Sequence, residues 1–336
     1  MNVLGIETSC DETAAAIVEN GSTVRANVLA SQHHIHARFG GVVPELASRA
    51  HLERLNGVLA LALEKSGSGW SDIEGVAVTR GPGLIGALLV GLATAKGIAL
   101  ALGAPLIAVN HLEGHIYANF LDPRDGRPEP PYVCLLVSGG HTLLVHIPEE
   151  HRYEILGQTL DDAAGEAFDK IARFLGLEYP GGPALDLLAQ EGDPAAIEFP
   201  RAMAGSGDFD FSLSGLKTAV VRHVRKERDA GKEVSAPDVA ASFQEAIVDV
   251  QVQKTMAAAE SCNVATVLLG GGVIANSRLR SRMSEEAERR GIRLEYPAPE
   301  LCTDNAAMIA CAGSSRLERG ERSGFDVEAD PSLPLS

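Results

Sequence analysis

Two histidines four residues apart, His111 and His115, lie in Val109–Tyr117, near the seam between two similar halves of the chain. In a helix this spacing puts both imidazoles on one face, one turn apart. Neutral imidazoles so placed can chelate a divalent transition metal. The pair leaves coordination positions open and needs another protein ligand, usually a carboxylate. Asp304, in Cys302-Thr303-Asp304-Asn305, is the candidate, although an aspartate there also suits a helix start. If both ends meet at one ion, the expected place is a cleft closed by the two halves.

The elements that must position these groups follow from hydropathy patterning. Asn2–Thr8, Thr13–Glu19 and Ser22–Ala30 read as three strands, with Asn20-Gly21 as a hairpin signal. Helical spacing over Pro44–Lys65, a strand at Gly75–Thr79, a long apolar helix after Arg80-Gly81-Pro82-Gly83 and a strand at Pro105–Val109 complete one unit. Leu121–Pro131 reads as an exposed linker. The pattern then restarts with strands at Tyr132–Ser138, His141–Ile147 and Tyr153–Thr159. Helices follow near Asp162–Leu175, Pro183–Gln190, Leu213–Arg228 and Pro237–Glu260, then a buried strand at Val264–Leu269 leading into Gly270-Gly271-Gly272. Asn276–Arg290 is predicted helical, Arg293–Tyr296 a strand and Asp304–Leu317 a closing helix. Strands in hairpins followed by alternating helices and strands, twice over, predict an α/β protein with two mixed sheets and helices on their faces. The expected domains are 1–122, an N-terminal lobe, and 130–318, a C-terminal lobe with an insertion, followed by a loosely held tail, 319–336. The turn between the first two strands of each unit would point into the cleft, a geometry suited to a nucleotide held between glycine-bearing turns.

Composition narrows the classes. The 336 residues suffice for two domains. Aromatics are 4%, so the cores must be aliphatic. The net charge of -16 disfavours broad nucleic-acid binding by the chain alone. The basic clusters Arg222, Arg225, Lys226, Arg228 and Arg278, Arg280, Arg282 read as solvated helix faces. Five scattered cysteines without Cys-x-x-Cys argue against a disulfide framework or zinc ribbon and for a reducing compartment. No signal peptide is evident. Leu84–Val109 is apolar enough to mimic a membrane span, but Lys96 and the break at Gly103-Ala104-Pro105 favour a buried helix and strand, so no membrane association is expected.

A set of motifs, taken in order, resembles one family over essentially the whole chain. They are Gly5-Ile6-Glu7-Thr8-Ser9-Cys10-Asp11-Glu12-Thr13, Gly81-Pro82-Gly83-Leu84, Asn110-His111-Leu112-Glu113-Gly114-His115, Leu136-Val137-Ser138-Gly139-Gly140-His141-Thr142, Asp161 to Lys170, Tyr179-Pro180-Gly181-Gly182-Pro183, Phe211 to Thr218, and Gly270 to Asn276. The family is the tRNA N(6)-adenosine threonylcarbamoyltransferases of bacterial TsaD type, also described as glycoprotease-like. The resemblance implies a duplicated actin-like, sugar-kinase and heat-shock ATPase fold. It also implies transfer of threonylcarbamoyl from threonylcarbamoyl-AMP to N(6) of adenosine 37 in tRNAs reading codons that begin with adenine. It assigns His111, His115 and Asp304 to one metal ion, Fe(2+) first and Zn(2+) as the alternative. Leu136, Val137, Ser138, Gly139, Gly140, Asp169, Gly182, Asp186 and Asn276 fall to the adenylate substrate, and Asp11 to catalysis. The implied partners are the tRNA anticodon loop, a shorter paralogous protein and a P-loop ATPase, in the cytoplasm.

Each assignment has a plainer reading. Ser138-Gly139-Gly140 could be a hairpin turn, Asn276 a helix cap, Asp169 and Asp186 solvated carboxylates, and Asp11 an Asx-turn residue. A metal-dependent glycoprotease or endopeptidase is the alternative function. The zincin signature His-Glu-x-x-His places its base directly after the first histidine; here Leu112 holds that place and Glu113 comes one later. A sugar kinase on the same fold, or a non-catalytic scaffold, would have no need of the histidine pair.

Overall fold

The computed structural model describes residues 1–123 and 126–335. The chain forms two compact units: Met1–Pro128 with Pro297–Leu335, and Glu129–Tyr296. Of the expected linker, Arg124 and Asp125 lie outside the described residues.

The first unit is built on the sheet β3-β2-β1-β4-β5. Its strands are β1 (Asn2–Glu7), β2 (Glu12–Glu19), β3 (Thr23–Ser31), β4 (Gly75–Gly81) and β5 (Leu106–Asn110). The first three pair antiparallel, while β1, β4 and β5 run parallel. The unit's helices are α1 (His33–His36), α2 (Pro44–Ser66), α3 (Ile85–Leu102), α4 (His111–Tyr117), α10 (Pro299–Cys302) and α11 (Ala306–Glu318). Leu4 and Ile6 of β1 and Ala15 and Ile17 of β2 meet Leu55, Leu59 and Ala62 of α2 and Leu92, Ala95 and Ala99 of α3 in an aliphatic core. Burying each such leucine or isoleucine contributes about 1.5–3 kcal/mol, so the shortage of aromatics does not leave the unit without a driving force. The α3 helix has the length and apolarity to cross a bilayer, with a mean hydropathy of 2.0; its Leu92-Ala95-Ala99 stripe lies in this core instead.

The opposite face of the sheet is covered by α11. Alternation along β1 turns Gly5 away from Leu4 and Ile6, and a Cβ at Gly5 would lie 2.2 Å from the Ala306 carbonyl oxygen. Only glycine lets the helix settle this close. The closing helix, expected with the C-terminal lobe of residues 130–318, therefore belongs to the first unit. Its buried positions run almost without a break from Ala306 to Leu317. Helical spacing announces such a segment without saying which sheet it covers.

The tail also differs from expectation: it is pinned. β5 is an edge strand, and its free backbone groups recruit Ser323, whose amide donates to the Leu106 carbonyl at 2.8 Å and whose hydroxyl accepts from Ala108 N at 3.0 Å. Farther on, Asp330 N donates to Arg80 O at 2.9 Å and Gly83 N donates to Pro331 O at 3.2 Å. The Asn110 side-chain amide donates to Pro334 O at 2.8 Å. Backbone hydrogen bonding, invisible in a polar, proline-bearing sequence, decides this outcome.

The second unit repeats the scheme with the sheet β10-β9-β6-β7-β8. Its strands are β6 (Tyr132–Val137), β7 (Thr142–Ile147), β8 (Glu154–Gln158), β9 (Thr266–Gly270) and β10 (Arg293–Glu295). The hairpin strands pair antiparallel, and β6, β9 and β10 run parallel. Its helices are α5 (Ala164–Phe174), α6 (Gly181–Ala189), α7 (Ser214–Asp229), α8 (Ala236–Ser261) and α9 (Ser277–Arg290).

Candidate metal centre

Helix α4 starts at the end of β5, where Asn110 caps it by accepting from Leu112 N at 2.9 Å. Every residue of α4 is buried. The His111 and His115 rings share a face, with centroids 4.7 Å apart and planes at 78°. Asp304 lies between α10 and α11, and its Oδ1 is 3.1 Å from His115 Nε2 and 3.5 Å from His111 Nε2. Gly114 makes this approach feasible: a Cβ there would be 2.7 Å from Ile309 Cδ1 of α11. All three residues come from the first unit. The expected grip by opposite lobes is thus corrected, because α11 and the turn before it pack on the same sheet as α4.

The donor set fits a metal ion. Ligand distances of about 2.1 Å place neighbouring ligand atoms roughly 3.0–3.4 Å apart at octahedral or tetrahedral angles. Among the described residues both ring nitrogens of His115 are buried without a hydrogen-bond partner, although Nε2 lies close to Asp304 Oδ1. Buried polar atoms are rarely left so. Two imidazoles and one carboxylate suit a divalent first-row metal with open positions.

Around these three residues lies a network not foreseen from sequence. Glu7, the last residue of β1, is fully buried. Its Oε2 is 3.0 Å from His111 Nδ1 and also accepts from Thr79 Oγ1; its Oε1 accepts from Ser9 N. Since a carboxylate can only accept, His111 carries a proton on Nδ1 and turns Nε2 toward Asp304. Burial alone would lower the His111 pKa, but the Asp304 and Glu7 carboxylates outweigh it and raise the pKa well above its ordinary value. Burial works to raise the pKa of both carboxyls, and His111 reverses this, holding Glu7 and Asp304 low. A buried glutamate in a strand was the available signal for Glu7.

Asp11 follows β1 in a turn fixed on several sides. Leu84 N donates to Ser9 O at 2.8 Å, Gln32 N donates to Asp11 O at 3.0 Å, and His51 Nε2 donates to Cys10 O at 3.0 Å. Asp11 is 7% exposed, and its Oδ2 has no hydrogen-bond partner among the described residues. His33 Nε2 lies 3.8 Å from Asp11 Oδ2 and 3.1 Å from Glu12 Oε1. Burial pushes Glu12 up to about 8; His33 opposes this, while Asp304 and Asp11 add to it.

Within the second unit, Leu136 and Val137 end β6 and are buried. The turn that follows commits Ser138 N to His141 O at 2.8 Å, while Gly139 and Gly140 have open space where a Cβ would be. Asp169 Oδ1 accepts from Gly181 N at 2.9 Å and Gly182 N at 3.2 Å, at the start of α6. Asp186 accepts from Ser277 N and Oγ at 3.1 and 2.9 Å. Asn276 caps α9 by accepting from Leu279 N at 2.9 Å and donates to Gln244 Oε1 at 2.7 Å. Asp169 with Gly182, and Asp186 with the start of the helix after Asn276, are therefore brought together by capping.

The carboxylate one place beyond the position of a zincin base is otherwise engaged. Glu113 is fully buried, and Arg316 donates to both of its oxygens, at 2.9 Å from Nε and 3.0 Å from Nη2.

The fold class is that of the actin-like ATPase fold. The chain superposes on HypF from T. kodakarensis with a TM-score of 0.64 at 15% identity, covering 95% of this chain and 48% of that one. Component A of (R)-2-hydroxyglutaryl-CoA dehydratase from Acidaminococcus fermentans gives 0.56 at 15% identity, covering 95% and 99%. The family model for TsaD, tRNA N6-adenosine threonylcarbamoyltransferase, matches residues 23–311. Proteins of that name from Moorella thermoacetica and Desulfitobacterium hafniense are 55% and 52% identical, each over 100% of this chain and 97% and 98% of their own lengths. The Clostridium perfringens protein is 51% identical over 99% of this chain and 98% of its own. The chain belongs to the tRNA N6-adenosine threonylcarbamoyltransferase family, and it is a transferase that modifies tRNA.

Proposed function

We propose that the chain takes threonylcarbamoyl from threonylcarbamoyl-AMP and delivers it to N(6) of adenosine 37, with His111, His115 and Asp304 holding one Fe(2+) ion. The observation that carries this reading is the convergence of both Nε2 atoms on Asp304 Oδ1, with His115 otherwise unpartnered. Such an ion supplies a Lewis acid for substrate oxygens; Zn(2+) suits the same ligands.

The donor is a mixed anhydride and already activated, whereas the exocyclic amine is a weak nucleophile. The protein must orient that amine, take its proton and exclude water. Asp11, buried and with no hydrogen bond to Oδ2 among the described residues, is our candidate for the proton acceptor or orienting group. Leu136, Val137, Ser138, Gly139 and Gly140 are assigned to the adenylate, with Asp169, Gly182, Asp186 and Asn276 around it. Three of these, Asp169, Asp186 and Asn276, also brace helix starts, which favours a rigid wall for the donor.

Partners are part of the proposal. Ile85, Leu89 and Leu100 are exposed on one face of α3, which supports docking of a shorter paralogous protein. A P-loop ATPase completes the set, and five free cysteines support a cytoplasmic setting. The decisive test is mass spectrometry of tRNA after incubation with the chain, both partners, ATP, threonine and bicarbonate. Threonylcarbamoyladenosine at position 37 is expected, with none from Asp304→Ala; unmodified tRNA from the complete wild-type mixture would refute the reading.

A further inference from the structure

The second unit carries an open groove of about 760 Å³ lined by Lys170 of α5 and by Lys217, Thr218, Arg222, Arg225 and Lys226 of α7. Its cations differ in how they are held. Lys170 and Lys217 are tied to Asp162, with Lys170 Nζ 2.9 Å from Oδ1. The side chains of Arg222, Arg225 and Lys226 have no hydrogen-bond or ion-pair partner among the described residues. They sit at i, i+3 and i+4, so they share one face, while Leu216, Val220 and Val224 bury the other. Asp229 is the carboxylate in the lining.

We propose that this groove binds the phosphodiester backbone of the tRNA substrate, with Arg222, Arg225 and Lys226 meeting phosphates. The inference rests on the tRNA-modifying activity of the family, and not on the metal centre. Charge complementarity carries it. A chain of net charge -16 repels a polyanion over most of its surface, so contact must be made where unpaired cations gather. Guanidinium groups suit bidentate phosphate contacts. A charged groove without an aromatic residue in its lining also favours backbone over base recognition.

The test measures binding of fluorescently labelled tRNA transcript by anisotropy across a salt series, with and without the partner proteins. The variants are the triple change Arg222→Gln, Arg225→Gln, Lys226→Gln and the conservative pair Arg222→Lys, Arg225→Lys. The triple variant is expected to bind at least about tenfold more weakly at low salt, with a log–log salt slope shallower by about 2–3, since each lost phosphate contact removes about one unit. The conservative pair should keep most of the slope. Thermal melting and metal content of the triple variant should match wild type. Unchanged tRNA affinity and slope would overturn the proposal, as would loss of partner-protein binding with tRNA affinity intact, which would make the groove a protein-docking site. Because no turnover is measured, failure here is separate from failure of the proposed metal chemistry.

Discussion

The Glu7 carboxylate and the His111 imidazole form a buried pair, with Oε2 3.0 Å from Nδ1. The pair fixes the tautomer that turns Nε2 toward Asp304. Outer partners of this kind typically account for 10–100-fold in metal affinity. Glu7→Gln should therefore weaken metal binding about 10–100-fold in a chelator competition, while the purified variant stays folded by circular dichroism. Wild-type affinity would remove the positioning role.

Loss of a proposed ligand is expected to be more severe. Asp304→Asn and His115→Ala should each abolish stoichiometric metal retention on dialysis. Ligand binding adds RT ln(1 + [L]/Kd) to stability, about 2.7 kcal/mol at a hundredfold excess over Kd. Metal should thus raise the melting temperature of wild type, and chelator should reverse the gain. Neither variant should respond.

Asp11→Asn separates chemistry from assembly. The side chain is isosteric and Oδ2 holds no hydrogen bond among the described residues, so the variant should melt and bind metal like wild type. Transfer to tRNA should fall by a factor of about 10²–10⁴, the usual contribution of a positioned acid or base. Turnover at the wild-type rate would exclude the assignment.

The tail braces α4, which carries two of the proposed metal ligands, through its cap, since Asn110 binds Leu112 N with one side-chain atom and Pro334 O with the other. Ending the chain after Gly320 removes the bonds from Ser323, Asp330, Pro331 and Pro334 together. The shortened chain should melt several degrees lower and bind metal more weakly. Asn110→Ala alone should cost about 1 kcal/mol, as for other lost caps. An unchanged melting curve for the truncation would show the tail to be a passenger.

Asp161 should contribute to the acid sensitivity of the second unit. Burial would raise its pKa, but donors from Ser214, Leu213 and Ser212 hold it far below the ordinary range. A group depressed in the folded state stabilises fully above its unfolded pKa, near 4, and loses that contribution as pH falls through the folded value. Asp161→Asn should lower the melting temperature at pH 7 and flatten its fall below about pH 4. Parallel curves for the two proteins at every pH would contradict this.

Much of the architecture was legible in the chain because its signals are local. Alternation and helical spacing marked the strands and helices of both halves, and the repeat of the hairpin-led pattern announced two mixed sheets. The four-residue interval put His111 and His115 on one face as soon as α4 was helical. Which of Asp169, Asp186 and Asn276 would cap helices depended instead on partners far along the chain, as in Asp186 with Ser277.

The sequence by itself determined the element types, the duplication and the histidine pair, since backbone periodicity and side-chain hydropathy act over a few residues. Tertiary structure alone decided that α11 returns to the first sheet, that Glu7 orients His111 and that the tail seals the β5 edge. These contacts join residues as distant in the chain as Gly5 and Ala306, and they are chosen by which surfaces pack closely enough to exclude water: Gly5 and Gly114 admit α11, and α11 brings Asp304 to the imidazoles.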